Sequence, residues 1–117
     1  MPHQIAKKRL SRTDAHRRAL LRSLATSFFK HEKIETTSTK ARQVSKVIER
    51  LITTARRGDL HSRRLVAAYL LEPAVTKKLM DQIAPSLRER TGGYTRIIKT
   101  RVRQGDAAEM SLLELLH

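Results

Sequence analysis

A chain of 117 residues is enough for one compact domain with tails, and its lack of cysteine excludes disulfide staples, thiolate metal sites and cysteine nucleophiles. Its 25 Lys and Arg against 11 Asp and Glu give a formal charge of +14, a repulsion that disfavours the compact state unless a polyanion neutralises it. Nucleic acid is the natural counterpart, because every phosphate met by a cation releases condensed counterions.

The charge is uneven. Residues 1–64 carry 17 Lys and Arg against 5 acids, a net +12, and residues 65–117 carry 8 against 6, a net +2. The N-terminal half is therefore the expected binding half. No apolar segment approaches the roughly 20 residues that span a bilayer, and the charged start has no apolar stretch behind it of the kind a secretory signal needs. Only Phe28, Phe29, Tyr69 and Tyr94 are aromatic, so the core must be built mostly from Leu, Ile, Val and Ala.

Residues 1–12, with Lys7, Lys8, Arg9 and Arg12, read as a basic extension too polar to fold by itself and expected to order on its partner. Residues 13–117 read as a single domain. Ser11 or Thr13 is placed to cap a first helix with Asp14 in its first turn, running to about residue 29. Leu20, Leu21, Leu24, Ala25 and Phe28 recur at helical spacing, while Arg17, Arg18 and Arg22 fall largely off that stripe, which leaves them for phosphates. Residues 33–37 form a short strand candidate with Ile34 and Thr36 on one face.

Ser38 or Thr39 is expected to cap a second helix over residues 40–57. Its stripe is Ala41, Val44, Ile48, Leu51, Ile52 and Ala55; Arg42, Lys46 and Arg50 form a four-residue ridge on a different face, partly paired with Glu49. Gly58 stops this helix and Asp59 caps a third over residues 60–71, with Leu65, Val66, Tyr69 and Leu70 inward and Arg63 and Arg64 outward. Pro73 suits the first turn of a fourth helix to about residue 84, which Pro85 closes. Leu87 anchors the polar connection that follows.

Gly92-Gly93 then feeds a β-branched, basic run, a strand over residues 94–102 expected at the centre of the sheet, with Arg96, Lys99, Arg101 and Arg103 at its edges and loops. Residues 104–108 read as a hairpin loop and 110–116 as the returning strand, although Ser111-Leu112-Leu113-Glu114-Leu115-Leu116 is rich in helix formers. The fold class is α+β: four helices on a small mixed sheet of about three strands, with the basic N-terminal extension.

Three stretches carry a resemblance: Lys8-Arg9-Leu10-Ser11-Arg12 followed by His16-Arg17 and Ala19-Leu20; Ile34-Glu35-Thr36-Thr37 followed by Lys40-Ala41-Arg42 and then Glu49, Leu51, Ile52 and Thr53; and Gly92-Gly93-Tyr94-Thr95-Arg96-Ile97. In order and separation they resemble the bacterial large-subunit ribosomal protein of the L-seventeen family over essentially the whole length. Departures are local: Met1-Pro2-His3 where the family usually opens Met-Arg-His, Ala6-Lys7 where it carries a glycine before the basic pair, and Ser45 where a third basic residue is common. The resemblance implies helices against a short mixed sheet and an extension laid on ribosomal RNA. It also implies a place on the solvent side of the large subunit near the peptide exit, one copy per ribosome in the cytoplasm, beside other ribosomal proteins.

Binding rather than catalysis is what the residues support. Helical RNA hides its base edges in a deep groove, so proteins hold it by phosphates, 2′-hydroxyls and shape. The planar fork of arginine suits this, and Arg17, Arg18, Arg22, Arg42, Arg63 and Arg96 are the candidates, with Lys7, Lys8, Lys40 and Lys46 as point charges. Thr36 and Thr37, with Thr39, offer hydroxyls at the mouth of the second helix, whose amides also favour a phosphate. His16 shares a helix with Arg17, and Tyr94 completes the RNA-contacting set beside Arg96. The five histidines lack metal-ligand spacing, and neither a Walker loop nor a GxGxxG run is present, so no cofactor, metal or small-molecule substrate is expected. The alternative is a duplex-DNA binder using the Gly58-Asp59 corner as a helix-turn-helix, for which residues 65–71 are too apolar. A membrane-surface helix would need bulky aromatics that are missing.

Overall fold

The computed structural model describes residues 13–116. Lys7, Lys8, Arg9 and Arg12 lie outside them. Helix α1 (Asp14–His31) is followed by strand β1 (Lys33–Thr37), helix α2 (Ser38–Ala55), helix α3 (Leu60–Tyr69) and helix α4 (Pro73–Lys78). Helix α4 continues through a π turn (Leu79–Ile83) into a last turn (Ala84–Ser86). Strands β2 (Thr95–Val102) and β3 (Glu109–Leu115) complete the chain.

The helix ends follow from local chemistry. Thr13 Oγ1 accepts from the His16 amide at 3.2 Å, and Asp59 Oδ1 from the Ser62 amide at 2.7 Å, each satisfying a donor that the first helical turn leaves open. Pro73 occupies the first turn of α4, where a missing N–H costs nothing. The expected cap of α2 differs. Thr37 stands at its N-cap and makes no side-chain cap bond, while Ser38 is buried inside the first turn, 2.6 Å from the Ser111 hydroxyl and donating to Glu109 O at 3.3 Å. Its hydroxyl thus ties α2 to β3.

Pro85 does not close the last helix but lies within it. A proline ring collides with the carbonyl four residues back in α geometry. Here the π turn relieves that, the Ala84 amide reaching five residues back to Leu79 O. Leu65, expected inward, is 47% exposed, because α3 buries only Ser62 and Val66 with Leu70 following.

The sheet has the order β1-β3-β2 and both pairings are antiparallel, which corrects the expected mixed sheet. A short hairpin joins β2 to β3 and can only make them antiparallel. The centre is β3, not the strand after Tyr94. A middle strand is enclosed on both edges, and Met110, Ser111, Leu113 and Leu115 are buried there, whereas Arg96, Lys99 and Arg101 keep β2 at the rim as edge strands are kept. Tertiary burial overrides the helix propensity of the leucines. The ladder slips between Lys99 and Arg101, where a bulge makes room for Thr100.

Helix α2 crosses the inner face of the sheet, and Phe28, Phe29, Val44, Ile48, Ile52, Val66, Leu79, Tyr94 and Leu113 fill the core between. The Phe28 and Phe29 rings meet edge to face at 5.4 Å. Gly93 has φ of +64°, a left-handed turn that sends Tyr94 straight down into that core.

Candidate nucleic-acid interface

At 100° per residue, Arg42, Lys46 and Arg50 point opposite to the buried stripe of α2 and therefore away from the sheet. All three are exposed and find no acidic partner among the described residues. Glu49, expected to pair partly with this ridge, turns inward instead. Its Oε2 accepts from the Thr95 amide at 3.0 Å and the Thr95 hydroxyl at 2.9 Å, pinning the start of β2 to α2.

Several cations elsewhere are matched, although the exposed Arg64, Lys77, Arg88 and Arg90 also lack an acidic partner among the described residues. On the sheet Arg96 forks onto Glu114, Arg101 meets Glu35 at 3.4 Å, Lys99 meets Glu109 at 3.6 Å and Arg103 meets Asp106 at 2.6 Å. Hydrogen bonds from Thr100 and Arg101 hold the Glu35 carboxyl below its usual range, and those from Arg103 and the Ala108 amide bring Asp106 down to about 2. Around α3 and α4, Arg63 reaches Asp81 at 3.3 Å, Lys30 reaches Glu72 at 3.6 Å and Lys78 reaches Glu32 at 3.1 Å. Surface pairs of this kind contribute little stability. They do cancel charge where they form, above all along β2 and its hairpin.

Several residues expected at the interface have other engagements. Arg22 Nε donates to Tyr69 O at 2.9 Å and Nη2 to Ala68 O at 3.1 Å, with the guanidinium 5.8 Å from the Tyr69 ring centre. It caps the last carbonyls of α3, where a cation also suits the helix dipole. Tyr94 is fully buried, its hydroxyl accepting from Arg56 Nη1 at 2.6 Å while Arg56 Nη2 donates to Arg88 O at 2.9 Å. No part of Tyr94 is left at the surface for a base. Arg63 and Arg96 carry the ion pairs just given. Thr36 and Thr37 are half-buried at the junction of β1 and α2, with Lys40 and Arg42 in the first turns beyond them. His16 and Arg18 are exposed on the first turns of α1, and Arg17 is partly buried beside them.

The structure brings Arg17 and Arg18 of α1 together with Arg50 of α2 around one groove of about 380 Å³, lined also by Leu21, Val47, Leu51, Thr54 and Tyr69. Sequence spacing could suggest Arg50 as part of the ridge but not its meeting with α1, and nothing marked Thr54. Among the described residues no helix is long and apolar enough to cross a membrane.

The family model for ribosomal protein L17 matches residues 20–116. The chain belongs to the ribosomal protein L17 family. It is 51% identical to the large ribosomal subunit protein bL17 of Pelobacter propionicus over 116 residues, 99% of this chain and 91% of the relative. To the protein of the same name from Campylobacter concisus it is 52% identical, covering 99% and 98%, and to that of Clostridium acetobutylicum 52% over 109 residues, covering 93% and 96%. The matches cover 93–99% of this L17 chain, so the sheet and the α2 ridge lie within the matched length.

Proposed function

We propose that this chain is a non-enzymatic, structural constituent of the large ribosomal subunit, acting in translation by holding ribosomal RNA through the phosphate backbone. One observation carries the reading: Arg42, Lys46 and Arg50 form an exposed ridge along α2, with Arg18 exposed on α1, and none of the four has an acidic partner among the described residues, whereas Arg96, Lys99, Arg101 and Arg103 of β2 and its hairpin are each paired with an acid. An unmatched ridge on a rigid helix fits a phosphate backbone, because neutralising phosphates releases counterions without demanding a base sequence. Arg17, Lys40 and His16 extend this face, and Thr36 and Thr37 stand at the start of α2. The extension with Lys7, Lys8, Arg9 and Arg12 adds charge to the same task. Arg22 and Tyr94 are assigned to the fold, and Arg63 and Arg96 contribute only if RNA displaces their carboxylate partners.

The sheet side, bearing exposed Ile97, Ile98 and Val102 beside its ion pairs, is the side offered to neighbouring ribosomal proteins. The test is competition binding of the full chain to large-subunit ribosomal RNA against duplex DNA of equal length across a salt series. RNA is expected to win at every salt concentration. Preference for the DNA would refute the reading, and so would sedimentation of the tagged protein away from large subunits.

A further inference from the structure

The apolar floor of the groove between α1 and α2 sets it apart from the phosphate-binding ridge. Leu21, Val47 and Leu51 are core residues, yet they keep 8%, 9% and 9% exposure, while Ala25, Phe28, Phe29, Val44, Ile48 and Ile52 on the same two helices have none. All three line the same groove. Around that floor stand Arg17, Arg18 and Arg50, with the Thr54 hydroxyl on α2 and Tyr69 from α3. Arg22 holds a face of the Tyr69 ring, and Tyr69 and its neighbours leave about 380 Å³, within the roughly 300–1,000 Å³ of small-ligand sites. The Nε of Arg17 is shielded from solvent and has no acceptor among the described residues. A shielded donor without a partner is costly, and an anion in the groove would satisfy it.

We propose that this groove seats one unstacked nucleotide of an RNA loop or bulge, its base on Leu21, Val47 and Leu51 and its phosphate among Arg17, Arg18 and Arg50. The inference rests on the RNA-binding reading above and adds to it a site that reads an extruded base. A flat, weakly polar base joined to an anion matches a greasy floor rimmed by guanidinium groups. A continuous RNA duplex does not, because its bases stay stacked and its phosphates would meet the rim and leave the floor empty. Charge opposes the chain's own extension as the occupant: residues 1–12 contain Lys7, Lys8, Arg9 and Arg12 and no acid. A second copy, itself at +14, is opposed for the same reason.

The test compares the full chain binding to two RNA duplexes of one sequence, one carrying a single bulged 2-aminopurine, in equal salt. The bulged duplex is expected to bind on the order of tenfold more tightly, in the range found when a base finds a seat on a protein, with a change in 2-aminopurine emission. Thr54→Leu fills the groove without altering charge and is expected to bring the bulged duplex down to the affinity of the unbulged one. Arg50→Gln, at an exposed helix position that should fold normally, is expected to weaken the bulged duplex more than the unbulged.

Equal wild-type affinity for the two duplexes overturns the nucleotide seat while leaving phosphate binding intact. A preference that survives Thr54→Leu in a variant of normal helical circular dichroism also overturns it, as does equal loss on both duplexes in Arg50→Gln. Binding to neither RNA defeats the parent reading together with the seat.

Discussion

Replacing Thr26 by Val tests how α3 is fastened to α1. The two side chains have nearly the same shape, so the change removes a hydroxyl and little else. Thr26 is 4% exposed; its Oγ1 donates to Arg22 O at 2.8 Å and accepts from the Leu71 amide at 3.1 Å. The two bonds are unequal. Arg22 O is already engaged within the helix and loses little, whereas the Leu71 amide loses its only acceptor among the described residues. An unsatisfied, partly buried donor costs about 1–3 kcal/mol, and the lower half of that range applies because Leu71 itself reaches solvent. A loss of about 1.5 kcal/mol should lower the Tm of a domain this size by about 6 °C, at about 2.1 cal/mol/K of unfolding entropy per residue. Urea unfolding of the full chain followed by circular dichroism measures it, with Thr26→Ser retaining most of the stability. A Val variant within about 0.3 kcal/mol of wild type, well inside the unsatisfied-donor range, would refute the reasoning. Arg22→Gln withdraws a second fastening from the same end of α3, so the double variant should be non-additive and the last α3 amides should exchange faster.

Arg42→Gln combined with Lys46→Gln should leave thermal unfolding nearly unchanged and shallow the slope of log affinity for ribosomal RNA against log salt by about 2, one per lost phosphate contact. An unchanged slope would remove the ridge from the interface. Tyr94→Phe deprives Arg56 of its hydroxyl partner in a buried setting and should cost about 1–2 kcal/mol by thermal melting, without changing RNA affinity at temperatures where the variant is folded; loss of affinity there would return Tyr94 to the interface. Asp106, held at about 2 by Arg103 and the Ala108 amide, has a folded-state value below its ordinary one. Its contribution is therefore full above about pH 4 and is lost as pH falls towards 2. Carboxyl NMR titration should find that midpoint and should find it raised in Arg103→Gln; an ordinary Asp106 midpoint in the wild type would contradict the hairpin geometry.

What the sequence revealed was what local chemistry decides. The 33–37 strand, the Thr13 and Asp59 caps, the proline start of α4 and the buried stripe of α2 each depend on neighbours within about five residues, and the fold has them all. The placing of β3 at the centre depends on which strand can be enclosed on both sides, a comparison across the whole sheet. Pro85 looked like a terminator because the π turn that accommodates it leaves no mark in composition. Among the arginines of α1, Arg18 and Arg22 look alike in sequence, both off the apolar stripe. Only the arrival of the α3 carboxyl end beside Arg22 separates a structural clasp from a surface charge, and that end is 46 and 47 residues away along the chain. The groove was hidden for the same reason, since its walls come from three helices.

With the cations of β2 paired to acids and the ridge of α2 left unpaired, the described domain carries its charge unevenly and is an electric dipole as well as a polycation. A phosphate-rich surface then exerts a torque as well as a pull, strongest within the roughly 8 Å screening length of physiological salt. The domain swings round as it approaches, so that most collisions begin with the helices in front, and landing orientation is chosen before any individual hydrogen bond forms.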